Sequence, residues 1–108
     1  MTYISRRLTQ FFGAYLHQDW LEEYNSVEEA IEDYCSCGDL GDRLSTVSEL
    51  EELISLSKKG ELLEKDLLKS FSCYYVPSKH GFLLDQWLSH VKDTMKNVLQ
   101  KRGNGGLL

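Results

Sequence analysis

The chain has 108 residues, 42% of them hydrophobic, and a formal net charge of −5, which fits one folded domain and excludes a disordered segment. No apolar run approaches the roughly 20 residues that span a bilayer. The charged start, Met1 to Arg7, leads into a polar amphipathic stretch and not a secretory signal, so a cytoplasmic protein is expected.

A first helix is predicted over residues 4–16. Leu8, Phe11, Phe12, Tyr15 and Leu16 recur at three- and four-residue spacing, with Gly13 placed to let a neighbouring backbone approach. His17-Gln18-Asp19-Trp20 breaks the pattern. Ser26-Val27-Glu28-Glu29 reads as a capping box, in which Ser26 accepts from the Glu29 amide and the Glu29 carboxylate reaches back. It opens a second helix with Val27, Ala30, Ile31 and Tyr34 inward.

A third helix is predicted over 41–57, with Leu44, Val47, Leu50, Leu53 and Ile54 buried. Ser57-Lys58-Lys59-Gly60 supplies the positive charge and glycine that suit a helix C-terminus. A fourth over 61–71 carries Leu62, Leu63, Leu67, Leu68 and Phe71. Residues 72–81 hold the sole proline, Pro77, and read as a packed loop because one isolated strand has nothing to pair with. The last helix, 83–101, shows one apolar face of Leu84, Trp87, Leu88, Val91, Met95 and Val98. The expectation is an all-α single domain of about five helices over 1–102, with residues 103–108 as a flexible Gly-rich tail.

Chemistry-bearing groups are sparse. Cys35, Cys37 and Cys73 are an odd set in a chain with no export signal, which points to reduced thiols. Cys35 and Cys37 with His17, His80 or His90 admit a zinc reading, but the spacing is not that of a zinc knuckle and no second pair answers it. His17 and Asp19 converge only if they lie in a turn; there they are either a base with its orienting carboxylate or a local cap, and no nucleophile lies nearby in sequence. Lysines between Lys69 and Lys79, with Tyr74 and Tyr75, are too few for a single-strand stacking platform. No catalytic residue, metal or cofactor is assigned, and an enzyme is not expected.

Charge is more telling. Residues 19–66 hold 15 acidic and 4 basic residues, whereas the remainder holds 2 acidic and 8 basic. Such a middle repels phosphate backbones, so no direct nucleic-acid contact is expected, and it draws in a basic protein. Glu28 and Glu32, like Glu29 and Asp33, sit four apart, and like charges at that spacing cost an isolated helix a few tenths of a kcal/mol. Partner contact is one reason to keep them. Glu22, Glu23, Glu28, Glu29, Glu32, Asp33, Asp39 and Asp42 are therefore the candidate binding residues.

Tyr15-Leu16-His17-Gln18-Asp19-Trp20, then Tyr24, then Ser26 to Ile31, resemble the opening of bacterial contact-dependent growth inhibition immunity proteins, with Leu16 where that family usually has an aromatic. Cys73-Tyr74-Tyr75-Val76-Pro77 and Trp87-Leu88 are similar to the family's aromatic-proline segment and closing helix. The resemblance implies a small binder that neutralises the toxic C-terminal domain, often a nuclease, of a cognate effector, one to one and away from any membrane. It implies that His17, Gln18, Asp19, Trp20, Tyr24, Tyr74, Tyr75, Pro77 and Trp87 maintain the fold. The alternative is a small acidic regulatory adaptor that binds several protein partners.

Overall fold

The computed structural model describes the backbone of residues 5–105 and the side chains of 5–102. The described residues form six α-helices and no strand: α1 (Arg6–Tyr15), α2 (Trp20–Glu23), α3 (Val27–Ser36), α4 (Leu40–Lys58), α5 (Glu64–Phe71) and α6 (Leu84–Gly105). A 3-10 turn, Pro77–His80, lies between the last two. The additional element is α2, a single turn too short to show periodicity. The segment 103–105 is helical where composition places the start of a tail, and residues 106–108 lie outside the described residues.

Local chemistry sets most helix ends. Ser5 accepts from the Leu8 amide at 3.1 Å and Asp39 from the Asp42 amide at 2.9 Å, capping α1 and α4. Ser26 accepts from the Glu29 amide at 3.1 Å, but the second half of the expected capping box is absent. The Glu29 carboxylate instead takes the Asn25 side-chain amide at 3.3 Å. α4 closes as a Schellman motif, with the Glu61 amide bonded to the Leu56 carbonyl (2.9 Å), the Gly60 amide to that of Ser57 (3.1 Å), and Gly60 at φ +77°.

α6 is the central support, packed most extensively against α4 and then α3, while α1 bridges α3, α4 and α5. Contacts at both ends of α3 set its direction. Glu28, in its first turn, meets His90 near the start of α6 at 3.1 Å, and Arg102 near the end of α6 reaches the Cys35 carbonyl, also at 3.1 Å. The two helices thus run parallel.

The apolar assignments of Leu44, Leu63, Leu68 and Val98 need correction. Leu44 is 49% exposed, because it lies about 120° around the helix from Leu50. Arg43, about 20° from Leu50, takes the inward place and lays its guanidinium 3.9 Å from the Tyr34 ring centre. Leu63 and Leu68 are likewise exposed and only Leu67 and Phe71 of α5 are buried; in α6, Leu99 is buried and Val98 only partly. Thr46, unforeseen, is fully buried and shares a 2.8 Å hydrogen bond with the Tyr34 hydroxyl.

Residues 73–76 form no regular element, with Cys73 and Tyr75 buried and Tyr74 outward, an alternation with the period of two typical of extended backbone. The Tyr74 amide donates to the Leu16 carbonyl at 2.9 Å and ties this loop to the end of α1. Gly13 admits no close backbone; a Cβ there would sit 3.5 Å from the Ser72 Cβ, an ordinary contact.

Candidate functional site

The turn between α1 and α3 is built around His17. Its Nδ1 accepts from the Asp19 amide at 3.0 Å, which leaves Nε2–H to face the Glu23 carboxylate at 3.3 Å. His17 thereby braces α2 from both ends. The Asp19 carboxylate makes no capping bond and does not orient the imidazole, so the base-and-carboxylate alternative loses its geometry. Trp20 drops into the core, edge-on to Tyr75 at 5.9 Å.

Trp20 and Tyr75 floor a cleft of about 530 Å³. One wall is Gln18, Leu21 and the segment from Asn25 to Glu28 that leads into α3; the other is Tyr74 to Val76, Lys79, His80 and Phe82, with Trp87 and His90 from α6. Tyr75 is stacked between His80 (4.5 Å) and Trp87 (4.8 Å), both with ring planes nearly parallel to its own. Burial opposes ionisation of Glu28, but its own backbone amide and His90 outweigh that and hold its carboxyl below the usual range.

Of the proposed fold-maintaining residues, Trp20, Tyr75, Pro77 and Trp87 are buried, and His17 and Tyr24 are half-buried with specific partners. Gln18, Asp19 and Tyr74 are exposed, and Gln18 and Tyr74 face the cleft. Nothing in composition or helical period marks the cleft, because its walls come from segments far apart in the chain, ending at Glu28 and resuming at Tyr74.

The eight acidic candidates separate into two groups. Asp39 caps α4, and Asp42 binds Arg7 and Arg43 at 2.9 Å each. Glu23 faces His17, Glu28 faces His90, and Asp33 accepts from the Tyr24 hydroxyl. Glu22, Glu29 and Glu32 project into solvent from α2 and α3. Residues 8–42 hold nine acidic side chains and neither lysine nor arginine, so α2 and α3 themselves contribute acidic charge alone.

The thiols offer little chemistry. Burial pushes Cys35 up to about 11 and Cys73 up to about 12, which keeps both protonated at neutral pH. Cys37 is exposed and donates to the Asp33 carbonyl at 3.2 Å. Among the described residues no three His, Cys, Asp or Glu side chains converge on a common ion position.

A family model described as CdiI immunity protein matches residues 5–95, well over half of the chain. The chain belongs to the CdiI immunity protein family. The matched span takes in α1 to α5, most of α6 and the whole cleft, so the resemblance carried by His17 to Trp20 and by Tyr74 to Trp87 extends over the folded body of this CdiI-family protein. No curated protein and no solved structure matches it. No helix among the described residues is long and apolar enough to cross a membrane.

Proposed function

We propose that this protein is the immunity component of a contact-dependent growth inhibition system and acts in the cytoplasm of the producing cell. It binds the toxic C-terminal domain of a cognate effector, one to one, and blocks it without catalysis. The observation that supports a basic partner is the single-sign surface of α2 and α3 in a chain of this family. A domain that acts on nucleic acid carries the clustered lysine and arginine that such a surface attracts, so a nuclease is the toxin class favoured. Glu22, Glu29 and Glu32 steer the encounter, and Glu28 and Asp33 share in it at its edge. Asp39 and Asp42 contribute to the field from sites where they also stabilise α4.

The test is calorimetry with the toxin domain encoded beside this gene, at low and high salt, with growth rescue scored in parallel. Tight binding that weakens with salt, together with rescue, is the expected result. Replacing Glu22, Glu29 and Glu32 by lysine slows association by about tenfold or more at low salt. Unchanged association and unchanged salt dependence would reject the acidic interface. Weak, salt-insensitive binding to several proteins would favour the adaptor reading.

A further inference from the structure

Steering by charge sets how fast a partner arrives and seldom how long it stays. A long-lived complex needs a desolvated apolar anchor near the centre of its interface. Among the described residues, six large hydrophobic side chains are conspicuously exposed: Leu21, Leu44, Leu63, Leu68, Tyr74 and Leu83. Of these, only Leu21 (69% exposed) and Tyr74 (45%) line the cleft, one on each wall.

Both lips sit on backbone that is already held. Leu21 follows the buried Trp20 in a one-turn helix that His17 braces through the Asp19 amide and Glu23. Tyr74 is pinned by its amide to the Leu16 carbonyl, and its neighbour Tyr75 is stacked between two rings. Little ordering remains to be done on binding, which favours affinity. Glu22 adjoins one lip and Glu28 forms part of that wall, while Lys79 is the sole lysine or arginine in the lining.

We propose that this cleft is the anchor point of the toxin interface: it seats one apolar side chain projecting from a lysine- or arginine-flanked loop of the toxin domain. The proposal rests on the immunity reading. The apolar residue packs between Leu21 and Tyr74 over the Trp20 and Tyr75 floor, and its basic neighbours meet Glu22, Glu28 and Glu29. The cleft volume falls within the range of pockets that enclose small ligands, ample for one large side chain.

The experiment compares real-time binding of a catalytically inactivated toxin domain to wild-type protein, to Leu21→Asn/Tyr74→Ser, and to Leu63→Asn/Leu68→Ser. Both altered pairs are exposed, and circular dichroism with thermal melts checks that each variant keeps its fold. The cleft pair should raise the dissociation rate by about 100-fold with little change in association, and the α5 pair should leave both rates near wild type. Hydrogen exchange on the wild-type complex supplies a readout without substitutions, with protection expected at the amides of residues 18–22 and 73–76.

Dissociation unchanged in the cleft pair, or protection confined to α4 and α5, would overturn the anchor while leaving the immunity reading intact. Wild-type protein that fails to bind the toxin domain at all would remove both.

Discussion

Individual side chains show how this acidic protein tolerates its own charge. The Arg7 hydrogen bond is the largest influence on Asp42 and, with Arg43, holds its carboxyl below the ordinary 3.8 despite slight burial. A depressed folded-state value means the pairing stabilises above about pH 4 and loses that contribution as pH falls through the lower value. Asp42→Asn is expected to lower the melting temperature near neutrality, with the difference from wild type closing as pH falls below about 4 in a series of melts. Arg7 and Asp42 are 43% and 39% exposed, so the effect is small. Thiol accessibility gives a second check. Cys37 is exposed and the other two cysteines are buried, so alkylation of native protein near neutral pH should label Cys37 alone by mass spectrometry. Cys35 and Cys73 should react only after denaturation.

At the scale of elements, α3 ends through donors borrowed from elsewhere. Its last turn carries no basic residue of its own. Arg43 donates to the Tyr34 carbonyl at 2.9 Å, while Arg102 donates to the carbonyls of Cys35 (3.1 Å), Cys37 (3.4 Å) and Gly38 (2.6 Å). Arg102 lies about 20° around the helix from Val91, so it continues the buried stripe of α6 to this carbonyl cluster. Arg102→Met should cost about 1–2 kcal/mol, read as a lower urea midpoint. Gly38 has φ +78°, and a Cβ there would collide with the Arg43 guanidinium. Gly38→Ala should therefore also destabilise, by about 1–2 kcal/mol from the left-handed backbone alone. Gly13 is the opposite case. Its helical position has room for a methyl group, and Gly13→Ala should stabilise by up to about 1 kcal/mol in the same titration.

Across the whole molecule, the parallel pair α3 and α6 joins fold and binding surface. The inner side of α3 is held at both ends by α6, and its outer side carries the acids. Glu28 and Asp33 turn to His90 and Tyr24, which relieves part of the like-charge cost that their four-residue spacing implies. Glu32, four residues beyond Glu28, has no such relief. Glu32→Lys should raise the stability of the free protein by a few tenths of a kcal/mol in chemical denaturation and slow toxin association in the same preparation. That opposition is what retention of charge for binding predicts. A variant both less stable and equally fast to associate would argue that Glu32 serves the fold.

The sequence by itself determined the five longer helices, the Ser26 and Gly60 caps, the bulk of the core and the family likeness. Those features depend on residues within a few positions of one another: an apolar stripe at three- and four-residue spacing, Ser26 three before Glu29, or a glycine after a lysine pair. Tertiary structure alone decided which acids stay free, which arginines turn inward, and that a cleft exists. The Glu28–His90 and Arg102–Cys35 contacts join residues 62 and 67 apart, and no local pattern encodes which side chain will stand opposite. Leu44 and Arg43 show the limit: their angles around α4 were readable, but only the Tyr34 ring and carbonyl supplied by α3 made the charged residue the inward one.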